Sequence, residues 1–382
     1  MNQLESQFAR EKQAVIACAH RIAQRKPAYG AIQSIGEEDD IIDYAKKFGF
    51  AGLRDDWSYG PSLALGTAEV TPLEMAEAFS VFATNGTHVE PSAILKIETI
   101  DGKILEQWDE TQVEKTKVLD PQVAYIINDI LSDPNAGLGS NIYLPAIDNA
   151  AKTGTSNVQD TNLPNNNWIA AYTPTLVTIG WAGNADGSAL NSNGESYSTI
   201  APIWKNYMGK VLNRLEPTEW QRPAGIQEIA ISKASGKLAS ENTPPDMVST
   251  EIFADFAVPT ELDDSYVKVK IETVTKRLAT EYSPADAIEE RSYRIYKEDW
   301  INWQDDIDSW AATQEGDSQP PTESAVDIHN AVTASNIPEL AITSPSSLSS
   351  ISKQVRLHDV EVDILDQGNG VDRVEYYVDD DL

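Results

Sequence analysis

The order of helix-like and strand-like segments in the first part of the chain constrains the fold more than any other feature. Two helix signals come first, two strand-like runs follow at Trp168–Tyr172 and Leu176–Trp181, and a helical stretch comes last at Ala201–Leu215. Thr173-Pro174-Thr175 joins the two runs. Helices, then strands, then a helix predict an α+β domain that ends near Leu215.

The two helix signals begin with complete capping patterns. Thr71 as N-cap, Pro72 at the first helical position and Glu74 form a capping box. Asp120 and Pro121 repeat the pattern for a second helix. Each start is followed by apolar residues at helical spacing, which predict buried faces: Met75, Phe79 and Phe82 in the first helix, and Val123, Ile126, Ile127, Ile130 and Leu131 in the second.

Two smaller elements are predicted around these helices. Acidic residues after Gly36, Lys46 and Lys47 near the end, and Gly49 just beyond indicate a short helix with a matched dipole. Between the two capped helices, Ile94–Leu105 predicts a hairpin that turns at Asp101-Gly102.

The composition excludes several classes of partner. The 382 residues include 29 Lys and Arg but 60 Asp and Glu, a formal net charge of -31, which argues against nucleic acid or an anionic membrane surface as a partner. The single cysteine, Cys18, excludes an internal disulfide framework and leaves no Cys cluster for zinc, and the 4 histidines are scattered. We therefore expect no metal site, and nothing in the sequence calls for a cofactor.

No segment of the chain reads as a membrane anchor. No apolar run approaches the length of a membrane span, and the N-terminus lacks the order of charges and apolar core that a signal peptide needs. If the protein works outside the membrane, we expect its targeting signal to lie upstream of this chain.

An internal repeat follows the α+β domain. Ser235–Asp246 is similar to Thr275–Asp286, and alternating residues that predict a strand precede each copy. We interpret residues 216–312 as an appended module with this twofold repeat, and residues 313–340 as a linker rich in Gln, Ser, Pro and acids. Residues 341–382 alternate like strands of an Ig-like β-sandwich but are too few to close one, so we expect only the start of that domain.

The stretch Lys152-Thr153-Gly154-Thr155-Ser156 is the strongest candidate site. A lysine in a polar cleft supplies a fixed positive charge, the hydroxyls of Thr153, Thr155 and Ser156 can bind a carboxylate, and backbone N–H groups of an edge strand can hold a peptide or an oxyanion. Glycine at 154 removes a side chain that would block this approach. Taken alone, the triplet Lys152-Thr153-Gly154 is explained equally well by a solvated lysine before a turn. A phosphate-binding loop is excluded, because no glycine precedes Lys152 at the spacing that this motif requires.

The context of this stretch points to a known family. The segments LALGTAEVTPLEMAEAFSVFATNGT, AAKTGTSN and NNWIAAYTPTLVTIGWAGN, in that order, closely resemble the transpeptidase domain of penicillin-binding proteins, especially the bifunctional class A type. The resemblance covers roughly residues 27–215 and is looser over the appended module. It implies a penicillin-binding/serine β-lactamase-like α+β fold, present here as the C-terminal part of the domain.

The family implies a function and roles for the candidate residues. It implies serine acyl transfer on the D-alanyl-D-alanine end of peptidoglycan stem peptides, which β-lactams mimic, at the extracytoplasmic face of the bacterial cytoplasmic membrane. A membrane anchor and a glycosyltransferase domain would lie upstream of this chain. By resemblance Lys152 would stabilise the serine network and the substrate carboxylate, and Thr155 would contribute its backbone N–H and hydroxyl.

The sequence departs from the family at the nucleophile. The family places S-x-x-K before K-T-G, whereas the two S-x-x-K matches here, Ser265–Lys268 and Ser350–Lys353, both follow Lys152. Ser240-Glu241-Asn242 matches the family's S-x-N motif but belongs to the repeat. We therefore interpret all three as chance matches and expect no nucleophile within this chain.

The first 26 residues do not fit the resemblance. If Pro27-Ala28 is aligned with the end of the family's S-x-N-x-P-A run, Ala23 and Arg25 stand where the serine and asparagine should be. Either the chain is an inactivated homologue, or residues 1–26 are not the native reading of the gene. We favour the second hypothesis, because this basic segment ends where the resemblance begins, as a frame slip would produce.

Three functions remain open from the sequence. The first is the C-terminal part of a class A penicillin-binding protein, inactive alone because its nucleophile is absent. The second is a non-catalytic cell-wall-binding or scaffold protein with a transpeptidase-like fold. The third, a free serine β-lactamase, is disfavoured because TPLEMAEAF and the tail match the synthases better.

Overall fold

A computed structural model describes most of the chain between residues 38 and 366. Residues 1–37, with Ala23 and Arg25, and the pair Ser350–Lys353 lie outside the described residues. The described residues are 38–60, 63, 66–134, 142–144, 147–158, 161–190, 194–211, 214, 218–296, 304–311, 313, 319–334, 339–344 and 360–366.

The chain divides into two compact units. The first unit comprises Met1–Ile229 and Thr250–Val258, and the second comprises Ala230–Ser249 and Pro259–Leu382. The helices are α1 (Glu38–Lys47), α2 (Pro72–Ala83), α3 (Pro121–Ser132), α4 (Ile200–Val211), α5 (Gln304–Ala311) and α6 (Ala331–Ala334). The strands are β1 (Thr87–Val89), β2 (Lys96–Glu98), β3 (Ile104–Gln107), β4 (Lys115–Lys117), β5 (Ala150–Asn157), β6 (Pro164–Thr173), β7 (Leu176–Gly183), β8 (Gln227–Ser232), β9 (Val248–Phe253), β10 (Tyr266–Glu272), β11 (Ile288–Arg294), β12 (Glu339–Ser344) and β13 (Glu361–Asp366).

The predicted helix starts are confirmed. The Thr71 hydroxyl accepts a hydrogen bond from Glu74 N at 3.2 Å, and the Glu74 carboxylate accepts one from Thr71 N at 2.8 Å, so both halves of the capping box of α2 are formed. The Asp120 carboxylate accepts a hydrogen bond from Gln122 N at 2.9 Å at the start of α3. These bonds satisfy N–H groups that the first helical turn leaves without backbone partners.

The sheet of the first unit is antiparallel, with the strand order β5-β6-β7. Lys152 lies opposite Ala170 and Gly154 opposite Trp168, and Trp168 in turn lies opposite Trp181. The predicted strands at Trp168–Tyr172 and Leu176–Trp181 are confirmed as the central parts of β6 and β7. Because the turn between them holds only Pro174 and Thr175, the two strands must pair as neighbours.

Helices cover both faces of this sheet. On the face that we call the α4 face, Trp204 and Met208 of α4 pack against Ile169 in a core whose members are nearly all inaccessible to solvent. Gly180 makes this approach possible, because a Cβ there would lie 2.9 Å from Ile169 Cγ2 and 3.0 Å from an Ile200 side-chain carbon. On the opposite face, which we call the α2 face, Ala150 and the fully buried Tyr172 pack against Ala83, Phe79 and Phe82 of α2 and Leu131 of α3.

The first unit continues beyond residue 215, the predicted limit of the domain. The Trp220 ring packs edge-on against the Tyr172 ring, with centroids 5.7 Å apart. Gln122 of α3 binds Asp255 through two hydrogen bonds, one donated by its amide at 3.1 Å and one accepted from the Asp255 N–H at 2.9 Å. The limit at 215 stays a prediction, but these contacts show why the compact unit includes parts of the segment that follows.

Each of the two repeats contains a pair of strands, and the pair of the second repeat lies within the second unit. In the second repeat β10 pairs with β11 antiparallel, and in the first repeat β8 pairs with β9. Leu238 of the first repeat forms a parallel bridge with Leu262, and the corresponding Leu278 forms one with Ser324. Part of the predicted linker is therefore packed into this unit, because Ala325, next to Ser324, is fully buried.

Each repeat holds a buried carboxylate, but from a different position. In the first repeat Asp263 accepts hydrogen bonds from Ser235 Oγ at 2.7 Å and Thr243 Oγ1 at 2.8 Å. In the second repeat the corresponding hydroxyls, Thr275 and Ser283, donate to Glu272. Both carboxylates are almost inaccessible to solvent, so each repeat satisfies two hydroxyls with one buried charge.

The C-terminal part of the second unit has one described strand pair, β12 with β13, which is antiparallel. The β-sandwich over residues 341–382 stays a prediction. Among the helices that the structure describes, none is long and apolar enough to cross a membrane.

Candidate functional site

The predicted site residues lie on β5, at the edge of the described sheet. All of Lys152–Ser156 falls within this strand, and among the described residues β5 pairs with β6 alone. Successive side chains of a strand point to opposite faces. Lys152, Gly154 and Ser156 therefore lie on the α2 face with Ala150, whereas the Thr153 and Thr155 side chains lie on the α4 face.

The backbone of β5 alternates between facing β6 and facing the open edge. Ser196 Oγ lies within hydrogen-bond distance of both strands, accepting from Trp168 N at 3.2 Å and donating to Gly154 O. The Gly154 carbonyl therefore faces β6, and in an antiparallel pair the groups of the adjacent residues point the other way. The N–H and C=O groups of Thr153 and Thr155 thus face the open edge, where an extended peptide can pair with them.

Lys152 places a positive charge at this edge. Its Nζ donates a hydrogen bond to Thr153 O at 2.6 Å. The residue is exposed, yet the protein around its ammonium group removes enough water to lower the pKa of Lys152 below its ordinary value. Among the described residues no carboxylate offsets this effect. A ligand carboxylate would therefore supply the partner that the ammonium lacks.

Gly154 keeps the α2 face of β5 open. A Cβ added at this position would meet only Trp168 Cβ, at the ordinary contact distance of 3.7 Å. The packing of the described residues therefore does not require glycine here, and its backbone is not in the left-handed region. The effect of the glycine is to leave the space between Lys152 and Ser156 without a side chain.

Ser156 belongs to a polar row across the sheet. Its Oγ donates a hydrogen bond to Asn165 Oδ1 at 3.0 Å and accepts one from Asn166 Nδ2 at 3.1 Å. Asn166 Oδ1 in turn accepts from Trp181 Nε1 at 3.1 Å. This row holds the end of β5 in place and presents amide and hydroxyl groups beside Gly154.

The Thr155 hydroxyl is turned away from Lys152. It lies 2.7 Å from Ser196 Oγ and accepts a hydrogen bond from Ser196 N at 3.2 Å. The hydroxyl that the family resemblance assigned to the substrate is thus engaged on the α4 face, and the Thr155 backbone N–H is the group that faces the open edge.

Sequence reasoning missed Ser196 and Asn167, both of which are almost fully buried behind β5. Asn167 Nδ2 donates to Gly194 O and, at 2.9 Å, to Thr199 Oγ1, which ties the loop before α4 to β6. One signal was available: three asparagines in a strand contradict strand propensity, and such local conflicts mark functional or strained sites. Nothing in the spacing of Ser196 reveals its partners.

The two chance matches within the described residues lie on other elements than β5. Ser265 precedes Tyr266, the first residue of β10, and Lys268 lies within β10, in the second unit, where Lys268 is 4.0 Å from Glu290. Ser240 caps a turn of the first repeat through Asn242 N. Among the described residues no hydroxyl bonds Lys152 Nζ, so none of them stands beside it as a nucleophile. Within the part of the chain that the structure describes, no group of three or more His, Cys, Asp or Glu could hold a metal ion.

Comparison with known protein families identifies the class of this domain. Residues 29–208 match the penicillin-binding protein transpeptidase domain, and residues 222–268 match the C-terminal domain of penicillin-binding protein 1A. Residues 29–208 thus belong to the penicillin-binding protein transpeptidase family. The predicted α+β fold of that family is confirmed.

The named relatives are penicillin-binding proteins 1A and 1A/1B. The protein from Clostridium botulinum is 32% identical over 294 residues, which are 74% of this chain and 34% of the relative. Penicillin-binding protein 1A/1B of Bacillus subtilis is 29% identical over 279 residues, 68% of this chain and 30% of the relative. The chain therefore spans about a third of the length of these relatives.

A solved structure agrees with this assignment. Penicillin-binding protein 1A from Haemophilus influenzae superposes with a TM-score of 0.51 at 25% sequence identity, covering 62% of this chain and 39% of that chain. Both the sequence and the fold of this chain are therefore similar to those of penicillin-binding proteins 1A.

Proposed function

We propose that this chain supplies one wall of the active site of a peptidoglycan D,D-transpeptidase, a serine acyltransferase that acts on D-Ala-D-Ala stem peptides and is acylated by β-lactams. One observation carries the proposal: Lys152 lies at the open edge of β5 and has no carboxylate partner among the described residues. The strand belongs to the segment that matches the transpeptidase family. The proposed place of action is the extracytoplasmic face of the bacterial cytoplasmic membrane, in a cell-wall synthase anchored by a segment outside this chain.

The geometry of β5 suits each step of acyl transfer. A serine Oγ forms a bond to the carbonyl carbon of the penultimate D-Ala, the bond to the terminal D-Ala breaks, and this D-Ala leaves with the proton; an acceptor amine then displaces the serine. The peptide lies along the open edge and pairs with Thr153 and Thr155. The Thr155 N–H is oriented to stabilise the oxyanion, and the Lys152 charge holds the terminal carboxylate and favours ionisation of a nearby hydroxyl.

The serine is proposed to come from residues that this chain does not contain. Of the two S-x-x-K matches, Ser265–Lys268 lies at β10, where residues three apart point to opposite faces of a strand. The pair Ser350–Lys353 lies outside the described residues. On this proposal the 382-residue chain is not acylated on its own.

A fluorescent penicillin tests this function directly. We expect no covalent label on the 382-residue chain and clear labelling of a longer product of the same gene that carries an S-x-x-K segment. Labelling of the chain alone would show that it holds its own nucleophile. An unlabelled longer product would instead favour a non-catalytic wall-binding or scaffold protein.

The role of Lys152 is tested in the longer product. Lys152→Ala is expected to lower the acylation rate constant on the order of a hundredfold, the loss that follows removal of a positioned electrostatic group. The matched control is Lys210→Ala, which removes an exposed lysine in the last turn of α4. Equal acylation by the parent and the Lys152→Ala variant would refute the assigned role.

A further inference from the structure

Ser196 is buried behind the substrate-binding edge and fills its whole hydrogen-bonding capacity there. A hydroxyl has one proton to donate and two lone pairs to accept with. Ser196 Oγ accepts from Trp168 N at 3.2 Å and lies 2.7 Å from the Thr155 hydroxyl, and two acceptors lie within reach of its own proton, Gly154 O and, at 3.2 Å, Asn167 Oδ1. Because the Ser196 proton has these acceptors, the Thr155 hydroxyl donates its own proton to Ser196 Oγ, while Thr155 Oγ1 accepts from the Ser196 N–H.

These bonds join three parts of the fold at one atom. Gly154 and Thr155 belong to β5, Trp168 belongs to β6, and Ser196 belongs to the loop before α4. Asn167 holds the same loop from β6 through Gly194 and Thr199. The loop cannot move away from the sheet without leaving several buried polar groups unsatisfied, which costs more than the bonds themselves contribute.

The part of β5 that Ser196 holds lies next to the Thr155 N–H, which faces the open edge. Ser196 holds the Gly154 carbonyl and the Thr155 side chain, and the Thr155 N–H points from the same residue toward the open edge. An edge strand is supported on one side only, so its backbone at this point would otherwise be free to shift. A shift of about 1 Å in a positioning group can cost on the order of a hundredfold in rate.

We propose that Ser196 is a positioning residue of the transpeptidase site: through Gly154 and Thr155 it fixes the direction of the Thr155 N–H that binds the substrate carbonyl. This inference rests on the proposed function of β5. Ser196 does not touch the substrate, because it lies buried on the α4 face, and its influence passes through the strand.

The hydrogen bonds of Ser196 with Trp168, Gly154 and Thr155, which we call the clamp, are tested in the 382-residue chain by amide hydrogen exchange. Ser196→Ala removes the acceptor of the Trp168 N–H, so we expect the Trp168 amide to exchange at least about tenfold faster, whereas amides of the second unit keep their rates. The control is Ser198→Ala, which changes an exposed serine of the same loop. Unchanged exchange at Trp168 would overturn the clamp.

The positioning role is tested in the longer, penicillin-reactive product. We expect Ser196→Ala to lower the acylation rate constant about tenfold or more, while the dissociation constant for non-covalent penicillin binding changes little, because the oxyanion contact forms only in the transition state. A purely structural serine would lower the amount of folded protein but leave the rate constant of the folded fraction unchanged.

The two measurements separate the possible failures. Faster exchange together with slower acylation supports the proposal, and faster exchange with unchanged acylation overturns the positioning role. If the parent product is not labelled at all, the proposed function fails and the positioning role fails with it, and the exchange result then still shows whether the clamp exists.

Discussion

Lys152 is a charge that folding alone does not explain. The protein removes water from its ammonium group and so lowers its pKa, yet no carboxylate of the described residues compensates for that loss. Asp263 shows the opposite case, since a carboxylate with very little exposure is offset by hydrogen bonds from Ser235 and Thr243. Perturbed ionisable groups of the first kind concentrate at functional sites.

This contrast leads to a prediction for stability. Lys152→Met keeps the length of the side chain and removes the charge, so we expect the free energy of unfolding in urea to stay within about 0.5 kcal/mol of the parent or to increase. Lys210→Met provides the exposed control on α4. A loss of more than about 1 kcal/mol at Lys152 alone would mean that the lysine serves the fold rather than a ligand.

At the scale of elements, the two repeats conserve a buried carboxylate and exchange its position. Glu272 lies at the end of β10, where the first repeat has Ser232 at the end of β8. Asp263 follows the bridge between Leu238 and Leu262, where the second repeat has the buried Ala325. The repeated feature is therefore a pair of hydroxyls around one buried carboxylate, which follows Leu262 in the first repeat and comes from β10 in the second, where His329 Nδ1 also contacts it at 2.5 Å.

The different positions of the two carboxylates lead to a prediction: the first repeat should tolerate a carboxylate on its strand β8, at position 232, in place of Asp263. Asp263→Ala leaves the Ser235 and Thr243 hydroxyls without their acceptor, and we expect a loss of about 1–3 kcal/mol of unfolding free energy. Adding Ser232→Glu should recover most of that loss, because the new carboxylate enters the same cluster from the strand. Urea unfolding of the parent, both single variants and the double variant measures the coupling. Additive losses in the double variant would contradict this prediction.

The sequence predicts the elements of this protein better than the contacts between them. The caps at Thr71 and Asp120 and the hairpin that turns at Gly102 depend on neighbouring residues, so local patterns suffice to predict them. Lys152 was found because its triplet lies in a recognisable context. The partners of Ser196 were missed, since they lie about 30–40 residues away and nothing in the local sequence marks such a distance.

At the scale of the whole molecule, the two units bury different kinds of polar groups. Among the described residues of the first unit, the nearly inaccessible polar ones are amides and hydroxyls: Asn128, Asn149, Asn167, Thr173 and Ser196. Those of the second unit include the carboxylates Asp263 and Glu272. Burial raises the pKa of each carboxylate, but the hydrogen bonds outweigh it and leave both pKa values below their ordinary range.

The two units should therefore respond differently to acid. A carboxylate with a lowered pKa in the folded state stabilises the fold above its unfolded pKa, and that contribution is lost as the pH falls through the folded pKa. We expect the second unit to lose stability below about pH 4, while the first unit changes less.

Urea titrations near neutral pH and at about pH 3.5, followed by the amide signals of Ile169 in the first unit and Ile271 in the second, measure the difference. An equal shift of both transitions would contradict the assignment of acid sensitivity to the buried carboxylates.

The open edge of β5 has a consequence for the behaviour of the protein in solution. An edge kept available for an extended peptide is equally available to a strand of another copy, so the geometry that suits a ligand also favours self-association. Lysine at an edge opposes such pairing, and the net charge of -31 keeps copies apart at low ionic strength. The acidic composition thus acts as protection for a strand edge that the described residues leave unpaired.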